Sequence, residues 1–284
     1  MIEMSASARV LTYLFMATMM LSIGLEVTGR QVVRALADVT LMGRALAANL
    51  ICVPLLGLVL VWLFPMPADA AAGVLILAAA PGAPFAVQFT SKAKDAVAFA
   101  AALLLVLTLI AVFLTPPLAG VLLRADVPLA LPVGRAAKVL LPYLLSPLLL
   151  GFALQRWAPV VAAALLRPAT WCAALSFPAV IVLTMAMKSA ATRTLGAPAL
   201  IALLLLVLGG MVVGWLLGGP DTGTRRVLAT STGMRNVAVA LLVALTSFPD
   251  SDVDVAVLAF SALMVPPNLV FTIYQNRRAR RRGA

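Results

Sequence analysis

The sequence predicts an all-α polytopic membrane protein with an inverted repeat, and three observations lead to this prediction. Of the 284 residues, 63% are hydrophobic and 11% are charged, which lies outside the composition of soluble globular domains. The apolar residues form continuous runs that are long enough to cross a bilayer as helices. Two of these runs are interrupted by proline or glycine, and such a pair of interrupted helices is typical of a transporter binding site.

Nine apolar runs of about twenty residues or more can be drawn as spans. They cover approximately residues 7–27, 39–64, 70–91, 95–123, 136–155, 169–188, 195–218, 225–248 and 253–275. We therefore predict one membrane domain over 1–284, with a first half-repeat at about 7–123 and a second at about 136–275. A basic tail follows at 276–284.

The interruptions lie in spans three and eight. The first contains Pro81, Gly82, Ala83 and Pro84, and the second contains Gly233. In lipid, the backbone groups that a break frees must meet protein or a water-filled cavity. The two spans are an odd number of spans apart and so cross the membrane in opposite senses, as an inverted repeat requires. The helix segments that begin after Pro84 and after Gly233 would present N-termini suited to an anion.

Several polar residues lie at membrane depth in these spans. They are Asn49, Gln88, Thr90, Ser231, Thr232, Arg235, Asn236 and Asn268. A charge in hydrocarbon costs roughly 2.5–3.5 kcal/mol on insertion scales, so Arg235 is the most informative of them. It is either a fixed cation that meets a substrate anion or occupies an ion site, or a structural arginine that satisfies the carbonyls of a broken helix.

The net charge of +11 is carried mostly by short loops and by the arginines of the C-terminal tail. Arginine and lysine that flank apolar spans indicate topology, and their alternation favours a cytoplasmic C-terminus and an external N-terminus in the plasma membrane. The same distribution excludes nucleic acid as a partner. The tail is expected to act as a topology anchor and to contact anionic membrane lipid.

The sequence contains no histidine, and its acidic residues fall at span ends or in loops. A membrane enzyme with a nucleophile–base pair is therefore not expected, and no cofactor is predicted. A proton-coupled carrier usually needs a titratable group within a span. Three hypotheses stay open: a secondary carrier of an organic anion, a sodium symporter that uses only carbonyl and hydroxyl ligands, and a non-transporting membrane protein.

Motifs along most of the chain resemble the bile acid:sodium symporter family. They are Met19–Thr28, Pro54, the Pro-Gly of span three, Leu114-Thr115-Pro116, and Gly233-Met234-Arg235-Asn236. The resemblance implies that the family's first helix has no counterpart here, and we therefore expect nine spans instead of ten. The resemblance implies a panel domain and a core domain with two crossing broken helices. It also implies transport of small or amphipathic organic anions, commonly with two sodium ions behind the crossing.

The resemblance places the family's sodium ligands on residues that cannot all serve that purpose. Side-chain ligands of the family fall on Ala86, Val87, Ala100, Leu104, Ser231, Asn49 and Arg235. The backbone carbonyls of Thr232 and Met234 could remain as ligands. We therefore predict a secondary transporter of an organic anion with lost or weakened sodium coupling. Substrate identity, transport direction and oligomeric state stay open.

Overall fold

The computed structural model describes residues 6–26, 28–30, 33, 38–82, 94–126, 145–187, 195–249 and 251–282, and the regular elements in these ranges are helices. In chain order they are α1 (Ala6–Glu26), α2 (Val39–Ala47), a π-helical segment (Ala48–Cys52), α3 (Val53–Leu63), α4 (Ala68–Ala79), α5 (Lys94–Asp126), α6 (Ser146–Trp157), α7 (Pro159–Met187), α8 (Gly196–Leu217), α9 (Thr222–Gly233), α10 (Val237–Ser247), α11 (Val253–Leu263) and α12 (Val265–Arg282).

Six helical stretches in the described ranges are long and apolar enough to cross a membrane. They are Val39–Leu63, Leu103–Leu123, Pro159–Leu183, Gly196–Leu217, Thr222–Ser247 and Val253–Arg278. Shorter apolar helices lie at Val10–Glu26 and Ala68–Ala79. The chain is therefore an integral multi-pass membrane protein, as the composition predicts. The count of nine spans stays a prediction, because spans three and five lie partly outside the described residues.

Two helices differ in extent from the predicted spans. α7 begins at Pro159, ten residues before the predicted start of span six at 169. A proline at the first position of a helix needs no backbone partner, so Pro159 suits this start. Span nine is divided at Met264 into α11 and α12, and α12 continues to Arg282, so most of the predicted tail is helical.

The helices form two groups according to their contacts. In one group, α1 packs against α6 and α7, and in the other, α4 packs against α3, α5, α10 and α11. In the second group, α8 also packs closely against α9. There Gly210 permits close backbone approach, since a Cβ atom at this position would lie 2.6 Å from the carbonyl oxygen of Thr232.

The two interrupted helices lie at the centre of the second group. Every residue from 70 to 82 is buried, and so is every residue from 227 to 244. By contrast, α3 and α7 expose large apolar side chains such as Trp62 and Trp171. A hydrophobic helix that is buried all round is a core helix, whereas one with an exposed apolar face suits contact with lipid. The described parts of the two breaks are thus enclosed by protein.

Candidate functional site

The first break follows the C-terminus of α4. The helix ends at Ala79, and Ala80, Pro81 and Gly82 are not helical. Gly82 has a φ of +84°, a left-handed conformation that favours glycine. A Cβ atom there would also lie 2.8 Å from the Cβ of Leu107, so glycine lets this turn rest directly on α5. Residues 83–93, which include Ala83, Pro84, Ala86, Val87 and Gln88, lie outside the described residues.

The second break separates α9 from α10. α9 ends at Gly233, Met234 is extended, and α10 begins at Val237. Asn236 is the N-cap of α10, because its Oδ1 accepts a hydrogen bond of 3.1 Å from the backbone N–H of Val239. The backbone N–H of Asn236 also donates to the carbonyl oxygen of Ala80 at 3.0 Å. The two breaks therefore touch each other through a direct backbone hydrogen bond.

The guanidinium of Arg235 is enclosed by the crossing. The residue is 1% exposed and is the largest fully buried side chain among the described residues. Its Nε donates to Leu77 O at 3.0 Å, and its Nη2 donates to Ala78 O at 2.7 Å. The same side chain reaches Asn49, with Nη1 donating to Oδ1 at 2.9 Å and Nη2 to the backbone oxygen at 3.4 Å. One side chain thus joins α4 and the π-helical segment to the second break.

These contacts satisfy the C-terminal end of α4. The last carbonyl groups of a helix have no partner within it. Here Leu77 O and Ala78 O accept from Arg235, and Ala80 O accepts from Asn236 N. Ala79 O accepts from the Thr115 hydroxyl at 3.0 Å. A cation is also favoured at a helix C-terminus by the helix dipole. The broken end of α4 is therefore capped by groups from α5 and from the second break.

The backbone at Asn49 is irregular, and Pro54 leaves the carbonyl oxygen of Asn49 without a donor in its own helix. Asn49 lies in the π-helical segment, whose following residue Val53 donates its N–H to Ala48 O. In the same pattern, the backbone oxygen of Asn49 would accept from the N–H of residue 54. Residue 54 is a proline and has no N–H. The Asn49 carbonyl is thus released from its own helix and accepts from Arg235. π-helical bulges often occur at functional sites.

Asn49 also connects this region to α9. Its side-chain amide donates to Ala45 O at 3.0 Å and to the hydroxyl of Thr232 at 3.2 Å. The structure therefore brings together Asn49, Thr232, Arg235 and Asn236 from two distant parts of the chain. Met234 is buried in the same break.

Other positions singled out in the sequence lie apart from these contacts. Ser231 is buried and donates to Leu228 O within its own helix. Asn268 is fully buried and donates to Met264 O at 2.8 Å, also within its own segment. Ala100 and Leu104 are buried among apolar side chains of the core. These two positions supply no side-chain oxygen for an ion.

The chemistry around Arg235 is neutral among the described residues. All four of its hydrogen bonds end on carbonyl or amide oxygens. No group of three or more acidic, histidine or cysteine side chains with metal-binding geometry is found in the described ranges. Neutral oxygens that converge in this way suit a monovalent cation or the guanidinium that occupies them.

Two further polar atoms beside the crossing are buried and have no protein partner in the described part of the chain. They are the side-chain Nδ2 of Asn236 and the hydroxyl of Thr108. Thr108 lies beside Gly82, since its backbone nitrogen is 2.9 Å from where a Cβ of residue 82 would stand. Buried polar groups are nearly always paired, so unpaired ones suggest a site for a polar ligand.

Thr115 contributes to this arrangement, although in the sequence it stands out only as part of a motif. We expect Thr115→Val to lower the free energy of unfolding by about 1–3 kcal/mol, because Ala79 O would lose its hydrogen bond in a buried position. Thermal unfolding of the purified protein measures this loss. Thr230→Val is the control, since the Thr230 hydroxyl is equally buried but bonds only carbonyls of its own helix. Equal losses in the two variants would contradict the role of Thr115.

Comparison with known proteins identifies the family. The model described as Sodium Bile acid symporter family matches residues 13–208, which include most of α1, the π-helical segment and the first break. The second break lies beyond the matched residues. No curated protein matches the chain. Because the family model covers well over half of the sequence, the chain belongs to the sodium bile acid symporter family, a family of membrane transporters.

Proposed function

We propose that this protein is a secondary transporter of a small or amphipathic organic anion and that it works by alternating access without sodium coupling. The main observation in support of the proposal is that Arg235 donates hydrogen bonds to carbonyl groups at the C-terminus of α4. A neutral set of oxygens, which a free cation could bind, is instead filled by a cation that belongs to the chain. A sodium ion placed beside this guanidinium would be repelled by it.

The anion would bind on the side of the crossing where α10 begins. Helix N-termini carry partial positive charge and offer free N–H groups. Asn236 lies at this N-terminus, with Oδ1 engaged as the cap and Nδ2 left to donate. Four of the five N–H groups of Arg235 already donate to protein oxygens, so in this proposal it acts on the anion mainly through its charge. An apolar surround would accept the rest of the substrate.

The two groups of helices support a division into a panel and a core. α1, α6 and α7 would form the panel, and the group built around α4, α9 and α10 would form the core. Rocking of one group against the other would expose the crossing to each side of the membrane in turn. We further propose that this membrane is the cytoplasmic membrane, with α12 ending on the cytoplasmic side because its last turns are rich in arginine.

Thermal stability of the purified protein against a panel of anions tests the proposal. The panel contains a bile acid conjugate, pantoate and 2-oxoisovalerate, each in sodium buffer and in choline buffer. A ligand that binds only the folded protein raises the unfolding midpoint with concentration. We expect one class of anion to raise it equally in both buffers. A shift that requires sodium would contradict the lost coupling. The absence of any shift, together with absent uptake in proteoliposomes, would contradict anion transport.

Asn236→Ser is expected to weaken binding of the stabilising anion by roughly 10–100-fold, because a hydrogen bond to a charged group contributes about 1.5–3 kcal/mol. Serine is as good an N-cap as asparagine, so α10 should remain capped. The dose dependence of the thermal shift gives the affinity. Asn268→Ser is the matched control at another fully buried asparagine, and it should leave anion affinity unchanged. Equal anion affinity in Asn236→Ser and the parent protein would exclude Nδ2 as a ligand.

A further inference from the structure

We infer that this carrier exchanges one anion for another much faster than it carries out net transport. The inference rests on the proposed function and adds a transport mode to it. It follows from one property of the crossing, which is that the cation of the site is covalently attached. A sodium ion can leave a symporter together with the substrate, whereas the guanidinium of Arg235 stays in the core at every stage of the cycle.

The charge of this guanidinium is not balanced by a carboxylate in the described part of the chain. Its four acceptors are all neutral oxygens. The acidic residues of the described helices lie at or near helix ends, as Asp69 does in the first turn of α4. The carbonyl dipoles of the α4 C-terminus stabilise the cation. They carry no net charge, however, so the positive charge of Arg235 is not neutralised. The bound anion would supply the missing negative charge.

Closing the site without the anion is therefore unfavourable. During alternating access the crossing passes through a state that is closed to water on both sides. The guanidinium itself is already out of contact with water, but water in an open site beside it would screen its charge. Closure removes this screening, so the charge is left uncompensated unless a bound anion lies close to it. The loaded carrier should thus reorient readily, and the empty carrier should reorient slowly.

The logic of coupled symport leads to the same result. A symporter that couples a cation tightly to an anion must not reorient when it holds the cation alone, since that step would dissipate the cation gradient. In this protein the anion-free state always holds its cation. If the core of this protein likewise reorients poorly when it holds only its cation, the return of the empty carrier is the slow step. Binding of a second anion on the other side then allows the carrier to return quickly.

Counterflow in proteoliposomes tests this inference with the full-length protein. Vesicles contain either one unlabelled anion of the panel or potassium chloride alone, and the initial uptake of the same labelled anion is measured. Potassium on both sides with valinomycin holds the membrane potential near zero, so that charge accumulation does not limit net uptake. We expect preloading to raise the initial rate at least about tenfold, because even part of the cost of an uncompensated buried charge gives such a ratio.

Two variants test whether the ratio of exchange to net uptake depends on the charge of Arg235. Arg235→Gln removes the cation, and Asn49→Asp places a carboxylate at the position that now accepts from Nη1 at 2.9 Å. In either variant we expect the ratio of exchange to net uptake to fall toward one. Equal rates in preloaded and empty vesicles of the parent protein would overturn the inference while leaving anion transport intact. So would a ratio that persists in both variants. Absent uptake of every anion in both kinds of vesicle would instead overturn the proposed function.

Discussion

Arg235→Ala is expected to lower the free energy of unfolding by roughly 3–6 kcal/mol, because buried carbonyl groups lose their donor and a cavity remains. Ala78 O and the Oδ1 of Asn49 lose the partners that now lie at 2.7 and 2.9 Å. Leu77 O loses one of its two partners, since the N–H of Ala80 also donates to it. The midpoint of thermal unfolding in detergent measures the change.

The same variant should gain a response to sodium. The vacated space is bounded by oxygens of Asn49, Leu77 and Ala78, and hard cations prefer oxygen ligands. We therefore expect sodium, but not choline, to raise the unfolding midpoint of Arg235→Ala in a dose-dependent way. Arg235→Lys is the control, because it keeps a positive charge in the site and should remain insensitive to sodium. Sodium stabilisation of the parent protein, or none in the alanine variant, would contradict the assignment of this site.

Asn49→Leu is expected to destabilise the protein by about 3–5 kcal/mol, because the buried guanidinium would lose an acceptor that faces its charge. Asn268→Leu is a close control. Both asparagines are fully buried, and each donates its amide to the carbonyl four residues earlier. Oδ1 of Asn268 has no protein partner among the described residues, whereas Oδ1 of Asn49 accepts from Arg235. The difference between the two variants therefore reports chiefly the contacts of Asn49 with Arg235 and Thr232. Similar unfolding midpoints in the two leucine variants would show that these contacts contribute little.

The helical membrane fold could be predicted from composition and from the length of the apolar runs. α4 and α9 end close to the proline and glycine residues from which the sequence predicts interruptions, since proline removes a donor and Gly82 adopts a positive φ. The extent of two helices could not be predicted. The arginines near the end of α12 indicate a solvated tail by charge alone, although a helix can continue beyond the membrane.

Several residues of the candidate site could be predicted from the sequence, but the contacts between them could not. Asn49 and Arg235 are 186 residues apart, and polarity alone does not reveal which partner each selects. The main acceptors of Arg235 are backbone oxygens of Leu77 and Ala78, and backbone atoms have no signature in residue type. One signal was available for the carbonyl of Asn49, because Pro54 lacks the N–H that this oxygen would otherwise meet.

Some of the predicted positions lie in the described residues, and others lie outside them. Asn268 is a candidate because it is polar within a span, yet its amide donates within its own segment. Polarity therefore marks candidates, and only packing shows which of them converge. The positions Ala86, Val87 and Gln88 lie outside the described residues, so their roles stay predictions. Ala100 and Leu104 lack side-chain oxygens and pack in apolar clusters, and the loss of a sodium site at these positions stays a prediction.

In the proposed mechanism, the cation of Arg235 takes the place of sodium. The decisive measurement is the initial uptake of the stabilising anion into proteoliposomes against a series of inward sodium gradients, with choline as the replacement ion. We expect the rate to be the same at every sodium concentration in the parent protein. A steep and saturable stimulation of uptake by sodium would contradict the claim, since it would require an ion site that works beside the buried guanidinium.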